Sequence, residues 1–157
     1  MASGIEAAVR IAVLNGPNLN LLGMREPELY GSTTLAQVEN DLSIVARELG
    51  VAIECSQVNG EGAMIDIIHG LRGRIEGAVV NFGAYSHTSL ALRDALVGVG
   101  IPFVEVHVTN VYARERERHH SMIASAAVGV VVGLGTFGYE LALRGLVRKL
   151  GLTSSAA

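Results

Sequence analysis

Five short apolar runs recur along the chain, Arg10–Leu14, Val51–Gln57, Ala78–Asn81, Phe103–His107 and Val128–Val132, and most intervals between them have room for a helix. Each run is β-branched or apolar and gives way to a polar or glycine-rich turn, the signature of strands buried on both faces. Strands that alternate with segments of helical period pair in parallel, because each crossover helix returns the chain to the same end of the sheet. The expected fold is therefore α/β, a doubly wound five-stranded parallel sheet with helices on both faces. The clearest helix carries Leu35, Val38, Leu42, Val45 and Leu49 on one face and is stopped by Gly50. Others are expected at Glu61–Leu71, Thr88–Val97 and Thr136–Leu150. A length of 157 residues suits one core, so a single α/β domain is expected over residues 10–151, with a frayed tail at 1–9 and a second tail at 152–157.

Composition removes several classes of function. The net charge is −3 and the basic residues form no stripe, which argues against a nucleic-acid partner. Half the residues are hydrophobic and the mean hydropathy is +0.40. No apolar run nears the ~18 residues of a membrane helix, so no membrane partner is expected. The excess apolar surface points instead to a homo-oligomer. Met1–Val9 has neither a basic start nor a long apolar stretch, and Cys55 is the only cysteine, so a cytoplasmic protein is expected with Cys55 packed in its strand. Lys149 is the only lysine. Arginine holds carboxylates and hydroxyls but cannot form an imine.

In open parallel sheets, ligands bind beyond the carboxyl ends of the strands. Polar residues gather there: Asn15, Asn18 and Asn20, then Gln57 and Asn59, then Asn81, Tyr85, Ser86 and His87, then Glu105 and His107. This set suits a small polyhydroxylated ligand. Between the first strand and first helix, Asn15–Thr33 shows no period over about nineteen residues, far more than such a connection needs. It reads as a lid carrying Arg25 and Tyr30 between the hinge candidates Gly23 and Gly31. Glu105 and His107, two apart on a strand, share a face, and a carboxylate beside an imidazole favours the charged ring and orients it as a general acid requires. The run Arg114, Arg116, Arg118 with His119 and His120 follows directly, and at least one of these arginines is expected to turn inward.

Gly133-Leu-Gly135-Thr-Phe-Gly138 matches a dinucleotide fingerprint, but the nineteen residues beyond it are too few to complete that unit. Its glycines are read as allowing the last helix to approach the sheet. Asp66 and His69 stand three apart on a helix without the further ligands of a metal site, so no metal is expected.

The stretches Asn15-Gly-Pro-Asn-Leu-Asn-Leu-Leu-Gly23, Arg25-Glu-Pro, Tyr30-Gly, Glu61-Gly through Asp66-Ile-Ile-His69, Asn81, Ser86-His-Thr-Ser89, Glu105-Val-His107, and Arg114 with Arg118-His-His-Ser121 together resemble the type II 3-dehydroquinase family. The resemblance runs in order from about Ile11 to Leu146. It implies a flavodoxin-like domain, a dodecamer built from trimers, and dehydration of 3-dehydroquinate to 3-dehydroshikimate with no cofactor and no metal. Tyr30 then resembles the base, with Arg25 and Arg114 keeping it anionic. Asn18 resembles the group that stabilises an enolate through a water, and His107, oriented by Glu105, resembles the general acid. Asn81 and the backbone amides of Val108 and Thr109 resemble contacts to the carboxylate and C1 hydroxyl. His87 and Arg118 resemble those to the ring hydroxyls, and Asp94 is expected to reach a neighbouring subunit's site. Phe82-Gly83, Val58, Val108-Thr109 and Arg116 depart from the family's commoner residues without removing a role. The competing class is a flavodoxin-like nucleotide- or flavin-binding module. Against it, Pro17 deprives the first loop of one amide for a phosphate cradle.

Overall fold

Strands buried on both faces need a helical layer on each side, and the chain meets that need with two hydrophobic clusters that share one sheet. A computed structural model describes residues 8–152, so the tail readings for 1–7 and 153–157 lie outside them. The strands are β1 (Arg10–Asn15), β2 (Ala52–Gln57), β3 (Gly77–Asn81), β4 (Phe103–His107) and β5 (Gly129–Val132). The helices are α1 (Pro27–Tyr30), α2 (Leu35–Leu49), α3 (Glu61–Gly70), α4 (Tyr85–Thr88), α5 (Leu90–Val99) and α6 (Phe137–Lys149). The sheet is wholly parallel in the order β2-β1-β3-β4-β5, which is the flavodoxin-like arrangement.

Period-two alternation sorts the strand residues. Ile11 and Val13 pack with α2 and α6, while Ala12 and Leu14 pack with α3 and α5. Leu42 of α2 and Leu146 of α6 are 1% and 0% exposed. Burying each such side chain contributes about 1.5–3 kcal/mol. Gly138, the last glycine of the fingerprint-like run, packs closely where α6 meets the sheet: a Cβ there would lie 3.3 Å from Val131 Cγ1. The sequence reading of those glycines holds at that position. Val9 and Leu152, read as tail, pack against the α2/α6 cluster. The Val9 carbonyl accepts from the Ala52 amide, and the Leu152 amide donates to the Val147 carbonyl.

Two local expectations are corrected. The helix expected over Thr88–Val97 is instead the single turn α4 followed by α5, which continues to Val99. Ser89 separates them because its backbone is extended and its hydroxyl accepts from the Leu92 amide as an N-cap, and Gly100 at φ 74° closes the far end. The segment Asn15–Thr33 is not without regular structure, since it contains a 3-10 turn at Leu19–Leu21 and the one-turn α1. Neither is long enough to generate a period. α1 starts because Pro27 supplies a fixed φ where no amide is required.

Candidate active site

A doubly wound sheet opens where neighbouring strands send their connections to opposite faces, and the order 2-1-3-4-5 puts that point between β1 and β3. A cavity of about 210 Å³ lies there. From the segment after β1 it is lined by Asn18, Arg25 and Tyr30; after β3 by Asn81 and His87; and after β4 by His107, Val108, Thr109, Arg114 and Arg118. Ten of the twelve residues expected at the site therefore share one cavity. Glu105 and Asp94 do not line it.

Glu105 is wholly buried, and it meets the cavity only through its neighbour His107. Phe103, Glu105 and His107 point to the α3/α5 face of β4, as their spacing requires. Glu105 Oε1 lies 2.6 Å from His107 Nε2, and His107 is only 6% exposed. Its Oε2 is buried without a protein partner. The short bond from a buried carboxylate holds the plane of the imidazole. The same Oε1 accepts from the Ser121 hydroxyl at 2.6 Å, while Ser121 Oγ accepts from the amides of Ile123 and Ala124. Ser121 thus ties the carboxylate to the loop that precedes β5. The sequence reading gave it no role, because a serine in an aperiodic stretch carries no signal of what it faces.

The His87 ring stacks on that of His107 at 5.6 Å between centroids. Its Nδ1 lies 2.8 Å from the His120 carbonyl, which can only accept, so the proton sits on Nδ1 and Nε2 keeps its lone pair. Burial lowers the His87 pKa below the ordinary imidazole value, opposed by the bond to His120, with the nearby His107 and Arg118 lowering it further. The shift favours the neutral His87 ring, and in that form its Nε2 is an acceptor for a hydroxyl.

Tyr30 sits half-buried in α1. Arg114 Nη1 donates to its phenolic oxygen at 2.8 Å and to Thr109 Oγ1 at 3.3 Å. The guanidinium carbons of Arg25 and Arg114 lie 5.5 and 5.4 Å from the Tyr30 ring centroid. Both guanidinium groups lie over the ring of the one phenol, and Arg114 also bonds its oxygen. The segment that carries Arg25 and Tyr30 has a narrow neck: Gly23 adopts φ 87°, and a Cβ there would lie 2.8 Å from the Ser32 carbonyl oxygen. Beyond the neck, Thr34 and Gln37 form a capping box that fixes the start of α2.

Of the arginine run, Arg114 and Arg118 turn inward and Arg116 remains exposed. The polar residues at the strand ends divide more sharply than expected. Asn20, Gln57 and Asn59 do not reach the cavity; Gln57 Nε2 donates to Gly16 O and to the Oδ1 atoms of Asn20 and Asn59, and Asn59 Oδ1 accepts from the Asn18 amide. They hold Asn18 in its left-handed conformation, φ 68°, which asparagine tolerates better than other side chains. Asn15, Tyr85 and Ser86 are likewise absent from the lining. Gly16 is required in this corner, since a Cβ would sit 2.4 Å from the Phe82 carbonyl oxygen.

Outside the cavity, Asp94 is exposed on α5 beside His69 and Arg72. The Cys55 thiol is pushed up to about 12, by burial first and by the charge of Glu39 second, so it is no nucleophile at neutral pH. Lys149 is exposed in the last turn of α6, the end of that helix remote from the strand mouths. Among the described residues, no three His, Cys, Asp or Glu side chains come together as a metal site, and no helix is long and apolar enough to cross a membrane.

The fold and site define a flavodoxin-like α/β protein with a buried acid-imidazole pair and an arginine-held phenol at one small cavity. Residues 9–147 match the family described as dehydroquinase class II. The chain belongs to the type II dehydroquinase family. It is 61% identical over 142 residues to a 3-dehydroquinate dehydratase of Gemmatimonas aurantiaca, covering 90% of this chain and 93% of that one. It is 56% identical to a catabolic 3-dehydroquinase 2 of Aspergillus flavus, covering 89% and 93%. Among solved structures, a type II dehydroquinase of Propionibacterium acnes superposes with a TM-score of 0.85 at 44% identity, covering 90% of this chain and 97% of its own.

Proposed function

We propose that this chain is a type II 3-dehydroquinate dehydratase that eliminates water from 3-dehydroquinate to give 3-dehydroshikimate through an enolate. The observation that carries this reading is the 2.8 Å bond from Arg114 to the Tyr30 hydroxyl in the same cavity as the Glu105-bound His107. Tyr30, as phenolate, takes the proton from C2 of the substrate, and the electron pair moves into the adjacent ketone to form the enolate. Asn18, with a held water, donates to the enolate oxygen without protonating it. As the enolate collapses, the C1–O bond breaks and His107 delivers a proton to the departing hydroxyl, which leaves as water. Tyr30 is then protonated and His107 deprotonated, and proton exchange with solvent restores both.

On this reading His87 Nε2 and the Arg118 guanidinium hold ring hydroxyls, and the backbone of Val108 and Thr109 with Asn81 holds the carboxylate side, which their shared lining of one cavity supports. Every proton passes through a side chain, so the reaction draws on neither metal nor cofactor. Lys149 stands too far from the cavity for an imine. Purified protein given 3-dehydroquinate should develop the absorbance of a conjugated enone, and should do so equally after chelation or borohydride treatment. A flat trace would overturn the reading.

The same reading includes assembly into a dodecamer of trimers in the cytoplasm, with Asp94 buttressing a neighbour's site. Exposed Val128, Val130, Leu134 and Phe137 support it as apolar surface left to be covered. Light scattering at micromolar concentration should give an assembly above a dimer, and Asp94→Ala should weaken assembly and activity together.

A further inference from the structure

Beneath the floor of the cavity, three buried side chains from three different elements form a hydrogen-bond chain whose direction is fixed from one end. The Gly83 amide can only donate, and it donates to Asn81 Oδ1 at 3.1 Å. That places Asn81 Nδ2 toward Tyr139, where it donates to the phenolic oxygen at 2.9 Å. With its oxygen accepting from Asn81, Tyr139 gives its own proton to Asn15 Oδ1 at 2.6 Å. Tyr139 is 1% exposed and Asn15 is 0% exposed, so no solvent competes for these groups. Burial raises the Tyr139 hydroxyl well above the ordinary phenol range, and it stays protonated, able to donate and accept at once.

The chain spans the switch point of the sheet. Asn15 ends β1, Asn81 ends β3 in register with it, and Tyr139 enters from α6. A primary amide has two N–H groups, and Asn81 gives one of them to Tyr139. The other belongs to a residue that lines the cavity. Turning the Asn81 amide over would set Nδ2 against the Gly83 N–H and Oδ1 against a phenol whose proton is already given to Asn15. With Asn15 held as it is, two hydrogen bonds would be lost together, and buried Tyr139 has no water to replace its own.

We infer that Tyr139 is a positioning residue for ligand binding, fixing the Asn81 amide so that its free N–H, and not its carbonyl, faces the cavity. The preference follows from the chain alone: a ligand carboxylate or hydroxyl oxygen meets a donor there, and an amide free to turn would present an acceptor part of the time. This rests on the reading of the cavity as the 3-dehydroquinate site, and it adds a residue that touches no substrate.

The test is Tyr139→Phe, which keeps the ring and removes the hydroxyl, compared with Asn81→Ala and the double variant. KM for 3-dehydroquinate should rise roughly tenfold, the worth of about one hydrogen bond, with kcat within about twofold of wild type. On the Asn81→Ala background the same change should raise KM no further. A fall in kcat at unchanged KM, or effects that multiply in the double variant, would show a merely structural role and overturn the inference.

A second measurement needs neither turnover nor a folded Asn81→Ala. By NMR on the ligand-free protein, the Asn81 side-chain N–H bonded to Tyr139 should exchange more slowly in the wild type than its cavity-facing twin. In Tyr139→Phe it should lose that protection while the backbone amides of β1 and β3 keep theirs. Equal protection in both proteins overturns the inference. If wild type makes no enone from 3-dehydroquinate, the proposed function fails, and the exchange experiment still decides the role of Tyr139.

Discussion

The proposed base and the proposed acid sit on opposite kinds of structure. Tyr30 lies on a one-turn helix in a surface excursion, half-buried, with Gly23 and Gly31 at positive φ on either side. His107 ends an interior strand whose five residues are all buried, and its partner carboxylate is sealed beneath it. The difference teaches that the two proton transfers make different demands. The phenol needs a cation at its oxygen, and Arg114, fixed in turn by Thr109, supplies one at a partly open surface. The imidazole needs a fixed plane beside a buried charge, which only a packed strand gives. Substitutions in the excursion should therefore cost activity with little stability, and substitutions at the strand mouth should cost both.

The largest expected effects test that division directly. Tyr30→Phe should lower kcat by roughly 100- to 10,000-fold, with the melting temperature nearly unchanged. His107→Ala should lower kcat over the same range but also lower the melting temperature, since wholly buried Glu105 would lose its 2.6 Å hydrogen-bond partner. Calorimetry beside steady-state kinetics reads both, and equal melting temperatures for the two variants would erase the distinction. Next, Arg114→Lys keeps the charge but loses the planar fork that reaches Tyr30 and Thr109 together, and should cost roughly 10- to 100-fold in kcat.

Gly31→Ala sharpens the comparison from the backbone side. No atom lies within 4 Å of the added methyl, so only the φ of 78° is strained. With ψ at −178° this backbone is one that essentially only glycine adopts, so the cost should be roughly 1–3 kcal/mol, read as slower turnover with the strand-mouth geometry intact.

The smallest effect concerns pH. The His87 pKa is lowered in the folded state, so between that value and the unfolded one the unfolded chain binds more protons. Stability from this group is present above the unfolded pKa of about 6.5 and is lost as pH falls through the folded value. Thermal melts from pH 7 to 5 should fall less steeply for His87→Gln than for wild type.

How far the sequence carried this picture differs between the same two regions. The five strands were legible to within a residue at either end, because β-branched runs bounded by turns admit few other readings. Glu105 and His107 were legible as a pair because strand alternation is rigid. α1 was not, since one turn generates no period, and its helical state depends on Pro27 and on the neck at Gly23. Nor could the sequence divide the strand-end amides into those that face a ligand and those that brace Asn18, because Asn81 and Asn59 look alike until the chain is folded. Tyr139 was hidden for another reason: at helical spacing among Ala142, Leu143 and Leu146 it reads as one more core side chain.

The central claim is that proton removal belongs to Tyr30 and proton delivery to His107 as separable steps. The most direct measurement is hydrogen exchange at C2 of 3-dehydroquinate in deuterated water, followed by NMR with each variant. His107→Ala should exchange the C2 hydrogen while forming almost no enone, and Tyr30→Phe should do neither. Exchange catalysed by Tyr30→Phe, or by neither variant, would contradict it.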